Sequence, residues 1–109
     1  MPSGQEEAGR AFYVEILGFS EVPKPIELAG RGGLWFRSGQ VVLHLGVDAH
    51  FVPAKKAHPA LRCNRYNATI ERLDANDITA IEDEHPFEGS RHCYIADPFG
   101  NRIELIDEE

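Results

Sequence analysis

The chain is short of everything that would mark a disulfide-stapled, membrane-spanning or nucleic-acid-binding protein. Its 109 residues include two cysteines, one methionine and one tryptophan. Cys63 and Cys93 form neither a CxxC pair nor a spaced framework, so free thiols in a reducing cytoplasm are expected. No run of about 18 apolar residues is present, which argues against a transmembrane helix. No charged stretch precedes an apolar segment at the start, so no signal peptide is expected. Basic residues are scarce: 11 Lys and Arg stand against 18 Asp and Glu, a formal charge of −7. Nucleic-acid binders use basic surface to displace counterions, so that partner is not expected. The acid surplus serves solubility in the simplest reading, and it would also attract a cationic ligand. Gly-x-Gly-x-x-Gly, P-loop and serine-elbow motifs are missing too, which weighs against nucleotide chemistry and serine hydrolysis.

What is present suits one domain with its own core, at 42% hydrophobic residues. Ser3-Gly4-Gln5-Glu6 reads as a capping box ahead of a helix over about 4–17, with Gly18 as its left-handed end. Strands are predicted at about 20–23, 34–38 and 41–47, the last two joined by the Gly39-Gln40 turn. A loop over 48–57 carries Lys55 and Lys56, read as a solvated charge pair in preference to guards of a pocket entrance. The pattern then repeats. A strand at about 58–63 leads through Asn64, read as an N-cap, to a helix over 65–75. Tyr66, Ile70 and Leu73 lie on one face of that helix, and Asn76 or Asp77 supplies its left-handed end. Strands at about 78–82, 91–96 and 101–107 follow. Asp97-Pro98-Phe99-Gly100 forms the turn before the last. The second half reads strand–helix–strand–strand–strand, and the first half reads the same without its opening strand. An internal repeat of roughly 50 residues in an α+β fold is therefore predicted.

Three residues interrupt the apolar alternation in the same way. Val41, Leu43, Leu45 and Val47 share one strand face, and His44 lies on the other. Ile103 and Leu105 likewise share a face that Glu104 does not, and His58 is off the Leu61 face. Strands that bury their leucine faces would turn two imidazoles and a carboxylate towards a common concave surface, a donor set suited to a divalent transition metal.

Two segments carry a family resemblance. Phe12-Tyr13-Val14-Glu15-Ile16-Leu17-Gly18-Phe19 resembles the "FY…LGF" segment of the glyoxalase / bleomycin resistance / extradiol dioxygenase family, the vicinal oxygen chelate superfamily. Asp97-Pro98-Phe99-Gly100-Asn101-Arg102-Ile103-Glu104-Leu105 resembles its "DP(F/D)GN…(I/L)EL" signature. The resemblance covers nearly the whole chain. It implies two βαβββ modules, about 1–48 and 57–109, within one domain, closing into a cup-shaped open barrel. It also implies a divalent metal (Zn, Ni, Mn, Fe or Co) held by His44, His58 and Glu104, with His44 and Glu104 in catalytic roles. The family's first strand, with its His or Gln ligand, would lie at or before Met1, so the first module is expected to lack its opening strand. A homodimer is expected, because family members often build the cup from modules of two chains.

Trp35 and Arg37 alternate away from Leu34 and Phe36, and His92 and Tyr94 share one strand face, so these four are candidate substrate-binding residues. For each, ordinary packing or surface placement is the competing reading. His50 and His85 lie in polar loops and are expected to be exposed, and Cys93 is expected to be a buried small hydrophobe. The implied activity is lyase or isomerase chemistry on a small substrate that chelates the metal through vicinal oxygens. A dioxygenase or thiol transferase of the same superfamily is an alternative within that class. A non-enzymatic, drug-binding module of the bleomycin-resistance type is the alternative outside it.

Overall fold

Alternation along the strands sorts the side chains into a core face and an open face, and the computed structural model shows that sorting twice. The structure describes residues 1–108. Glu109, the last of three acids at the tail, lies outside the described residues. The chain divides into two compact units, Met1–Val52 and Pro53–Glu109. Together they make a small mixed α+β protein with two sheets.

In the first unit, α1 (Glu6–Arg10) runs directly into a π-helical stretch, Ala11–Ile16. The predicted helix is therefore present, but its second half is wound wider. The Leu17 N–H reaches back five residues to the Phe12 carbonyl at 3.0 Å. The wide turn directs Phe12, Tyr13 and Ile16 into the core. Gly18 ends it at φ +86°, as its place after the helix predicted. The predicted capping box does not form: Gln5 is the cap residue, and no side chain caps the helix. Glu6 instead accepts the Gly33 N–H at 2.9 Å, a tertiary contact that takes its carboxylate away from the helix end.

Three antiparallel strands follow in the order β1 (Ser20–Val22), β2 (Leu34–Ser38) and β3 (Val41–Leu45). A short helix, α2 (Ile26–Ala29), lies between β1 and β2. Leu34 and Phe36 face the core, where Tyr13 stacks on Phe36 with ring centroids 5.1 Å apart. Gly33 is required where it is. Its φ is +88°, and a Cβ there would overlap the Leu45 carbonyl oxygen. Met1 donates its amine to the Gly46 carbonyl at 2.7 Å, and its own carbonyl accepts the Asp48 N–H at 3.0 Å. This is a single rung of a parallel ladder beyond the end of β3.

The second unit contains β4 (Ala60–Cys63), α3 (Tyr66–Ala75), β5 (Ile81–Glu82), β6 (His92–Ala96) and β7 (Arg102–Asp107), with sheet order β4-β7-β6-β5. β4 lies parallel to β7, and the other pairs are antiparallel. Leu73, Cys93, Ile95, Ile103 and Leu105 form its core. Two strands are shorter than predicted. β4 starts after Pro59, which has no N–H to give, although its carbonyl still accepts the Glu104 N–H. β5 retains only two residues. Arg65, not Asn64, is the cap residue of α3, with no side-chain cap bond. Beyond α3, Asp77 takes the left-handed conformation at φ 60°. The turn before β7 forms as predicted. Asp97 Oδ1 accepts the N–H groups of Phe99 and Asn101 at 2.9 and 2.8 Å, and Gly100 sits at φ +87°.

Candidate functional site

The open face of the second sheet is set by register. Tyr94 lies opposite Glu104, and Glu104 lies opposite Ala60, so β4, β7 and β6 present these side chains on one side. Glu104 is 9% exposed and is held at both oxygens. His58 Nε2 is 3.1 Å from Oε1, and His92 Nδ1 is 2.8 Å from Oε2. The other nitrogen of each ring also faces an oxygen. His58 Nδ1 is 2.9 Å from the Lys56 carbonyl, and His92 Nε2 is 2.7 Å from the His85 carbonyl. A ring nitrogen can satisfy a carbonyl only by donating, so these contacts orient both imidazoles.

His92 is buried, with acceptors at both nitrogens, an arrangement that favours the doubly protonated ring. The His85 carbonyl raises its pKa above the ordinary 6.5; burial pulls the other way, and Glu104 adds to the rise. Tyr94 stands edge-on to both imidazoles, its centroid 5.7 Å from that of His58 and 5.8 Å from that of His92. Burial pushes its phenol pKa up, and the charge of Glu104 pushes it further.

The structure thus brings together three of the residues singled out in the sequence, His58, His92 and Glu104, with Tyr94 beside them. His92 reaches Glu104 because its position is diagonal to Glu104 across the β6–β7 pair, a relation that alternation within one strand does not reveal. His44 belongs to the first unit. There it is exposed and lies flat on Trp35, with centroids 3.8 Å apart and planes 1° from parallel. Register places this pair opposite each other on the open face of the first sheet. Arg37 is exposed on the same face.

Whether a divalent ion suits these residues depends on the donors and on their geometry. An imidazole nitrogen and a carboxylate oxygen are the right donor types for Zn, Ni, Mn, Fe or Co. His58 Nε2 and Glu104 Oε1 face each other across 3.1 Å, so these two residues would be the ones to hold an ion. Both nitrogens of each ring face an oxygen; His92 differs from His58 in being buried and in its shorter, 2.8 Å contact with Glu104. Among the described residues, no group of three or more His, Cys, Asp or Glu side chains is arranged to hold a metal ion.

Residues outside the sequence-derived set also belong to this face. Arg102 holds its guanidinium 5.0 Å from the Tyr94 ring centroid. It shares the strand parity of Glu104, the one signal in the sequence that could have drawn attention to it. Among the described residues no helix is long and apolar enough to cross a membrane.

Residues 2–105 match the sequence model of the Glyoxalase/Bleomycin resistance protein/Dioxygenase superfamily, and the chain belongs to that superfamily. Among solved structures it is similar to a glyoxalase family protein from Bacillus anthracis. The two are 43% identical with a TM-score of 0.93, over 100% of this chain and 88% of that one. A lactoylglutathione lyase from Agrobacterium tumefaciens shares the fold at 22% identity and a TM-score of 0.71, over 98% of this chain and 87% of that one. TnmS3, an antibiotic binding protein from Streptomyces sp. CB03234, shares it at 22% identity and a TM-score of 0.70, over 100% of this chain and 91% of that one. No curated protein matches the chain.

Proposed function

We propose that this chain is a metal-dependent enzyme of the glyoxalase type, with lyase or isomerase chemistry on a small substrate that offers two adjacent oxygens. The observation that carries this reading is the doubly supported Glu104 carboxylate, with Oε1 facing His58 Nε2 at 3.1 Å. His58 and Glu104 are the metal ligands in this reading. His44, supplied by a second copy of the chain in a homodimer, is the third. A divalent ion bound there provides Lewis acidity towards the oxygens of the substrate. Glu104 is also the group able to take a proton from the carbon beside a carbonyl, and His44 is a second candidate base. Trp35 and Arg37, on the same sheet face as His44 and so supplied with it by the second copy, are substrate-binding candidates, as is Tyr94 beside His58. His92, 2.8 Å from Glu104 Oε2, holds that carboxylate in place. The setting we propose is the cytoplasm, where the free thiols of Cys63 and Cys93 stay reduced.

Metal binding by the purified protein tests this reading. Co(II) added to the chelator-treated chain is expected to give visible d–d absorption saturating near one ion per chain. Glu104→Ala is expected to weaken that binding at least tenfold, and His44→Ala less. Unchanged affinity in Glu104→Ala would sink the assignment.

A second reading rests on the parallel Trp35–His44 stack, an exposed flat surface in a chain of charge −7. Such a surface suits a planar cationic drug, and the protein would then be a binding module without catalysis. Tight binding of a planar cation with no uptake of Co(II) would establish this reading in place of the first.

A further inference from the structure

We propose that the second unit carries a pocket for a small organic anion, a carboxylate in the simplest case, beside the His58–Glu104 pair. The proposal rests on the reading of that pair as part of a substrate site, and it names the chemical class the site takes. A cavity of about 240 Å³ opens against β6 and β7, with Lys55, Ile81, Tyr94 and Arg102 among its walls. Its two cations are placed by the fold. The Arg102 N–H donates to the Ala54 carbonyl at 2.7 Å, and the Ala54 N–H donates to Asn101 Oδ1 at 2.9 Å. These bonds tie the segment before Lys55 to the start of β7, so both cations share one wall. Gly100 adds to the tie, since its α-carbon packs so closely on Pro53 that a Cβ would crowd the ring.

Charge makes this convergence informative. In a chain with seven more acids than bases, Arg10 and Arg91 are paired with glutamates. Neither Lys55 nor Arg102 forms a salt bridge among the described residues, and the guanidinium of Arg102 rests on the Tyr94 ring. The carboxylate on the same face, Glu104, is already held by His58 and His92. Two cations are therefore left for an anion from outside. Ile81 and Tyr94 supply apolar surface next to them, so the preferred ligand combines an anionic end with an apolar or aromatic body. Tyr94 is the wall shared by this pocket and the His58–Glu104 pair.

The test uses benzoate and its neutral counterpart benzamide, titrated into the chelator-treated full chain and followed by amide NMR. Benzoate is expected to shift the resonances of Ile81, Tyr94, Ala96 and Gly100, with benzamide at least tenfold weaker. Arg102→Gln is expected to weaken benzoate about tenfold, Lys55→Gln less, and Arg102→Lys to retain most of the affinity. Added salt should weaken benzoate and leave benzamide unchanged. Equal binding of the two probes would overturn the proposal. So would shifts confined to other residues, or unaltered affinity in an Arg102→Gln protein with native circular dichroism. Benzoate binding here with no uptake of Co(II) would sustain the pocket while removing the metal-dependent reading. Co(II) binding through Glu104 without benzoate binding would remove only the pocket.

Discussion

The two units solve the same topological problem with different chemistry. The first packs its three strands with rings: Phe12, Tyr13, Phe19 and Phe36 are all buried, and Tyr13 lies between the others. The second packs its four strands with Leu73, Ile95, Ile103, Leu105 and the thiol of Cys93. The contrast is sharper on the open faces. The first unit leaves His44 exposed and stacked on Trp35, whereas the second buries His92 and Glu104 as a hydrogen-bonded pair. The edges differ too. Where β4 runs alongside β7, only the Met1 rung lies beside the end of β3 among the described residues. A repeated strand pattern thus conserves architecture while leaving each copy free to specialise. Here the buried polar chemistry is on β7, which lies between β4 and β6, whereas β3, the last strand of the first unit, is at an edge of its sheet.

This comparison can be broken at several points. Phe36→Ala should have the largest effect, about 3–5 kcal/mol of stability in urea unfolding, against about 0.5–1.5 kcal/mol for Ile103→Val. The opposite order would undo the claim that the ring cluster dominates the first unit. Trp35, the single tryptophan, gives a fluorescence signal from that unit alone.

Gly33→Ala comes next, at about 2 kcal/mol or more in thermal or urea melts, since it combines left-handed strain with overlap on the Leu45 carbonyl. Gly39→Ala is the control. Its φ is +57° with nothing near a Cβ, so about 1 kcal/mol is expected. Equal costs would mean that the close approach between Gly33 and Leu45 is not a constraint.

His92→Ala should cost about 1–3 kcal/mol at pH 6 in the metal-free chain, because it strips a buried oxygen of Glu104 of its donor. The sign of the pH dependence follows from the raised pKa of His92. Its contribution is complete below the unfolded value near 6.5 and is lost as pH rises through the higher folded value. Urea midpoints of the parent should therefore fall above pH 6.5 by more than those of the variant.

The smallest effect is expected at Glu6. The Gly33 N–H lowers its pKa from 4.5, so its contribution is present above that value and lost as pH falls through the lower folded value. Glu6→Gln should cost at most about 1 kcal/mol at pH 7, and the difference should vanish in acid. The two units would then weaken at opposite ends of the pH scale.

Much of the fold was legible in local chemistry. Alternation put Leu34 and Phe36 on one side and Trp35 on the other. Gly18, Asp77 and the Asp97–Gly100 turn ended or joined elements where left-handed or turn geometry was needed. The failures were tertiary. Ser3 and Glu6 have the spacing of a capping box, but Glu6 found a better partner in Gly33, 27 residues away. Nothing in the helical spacing distinguishes the π-helical turn from an α-helical one, because its widening serves the packing of Phe12, Tyr13 and Ile16.

At the candidate site the division is similar. His44 and Glu104 could be picked from parity alone, because side-chain direction along a strand is a local property, whereas His58 precedes β4 and meets Glu104 through the tertiary fold. Their partners could not. That Glu104 is gripped by His92 as well as His58 depends on the register of β6 against β7 and on a loop that brings the His85 carbonyl to the far side of the ring. That Lys55 stands with Arg102 depends on Ala54 bonding to both Asn101 and Arg102. The sequence by itself determined which residue types lie on which side of each strand. Only the tertiary structure decided which of them meet, because cross-strand register and loop anchoring join residues distant along the chain through bonds that local pattern does not encode.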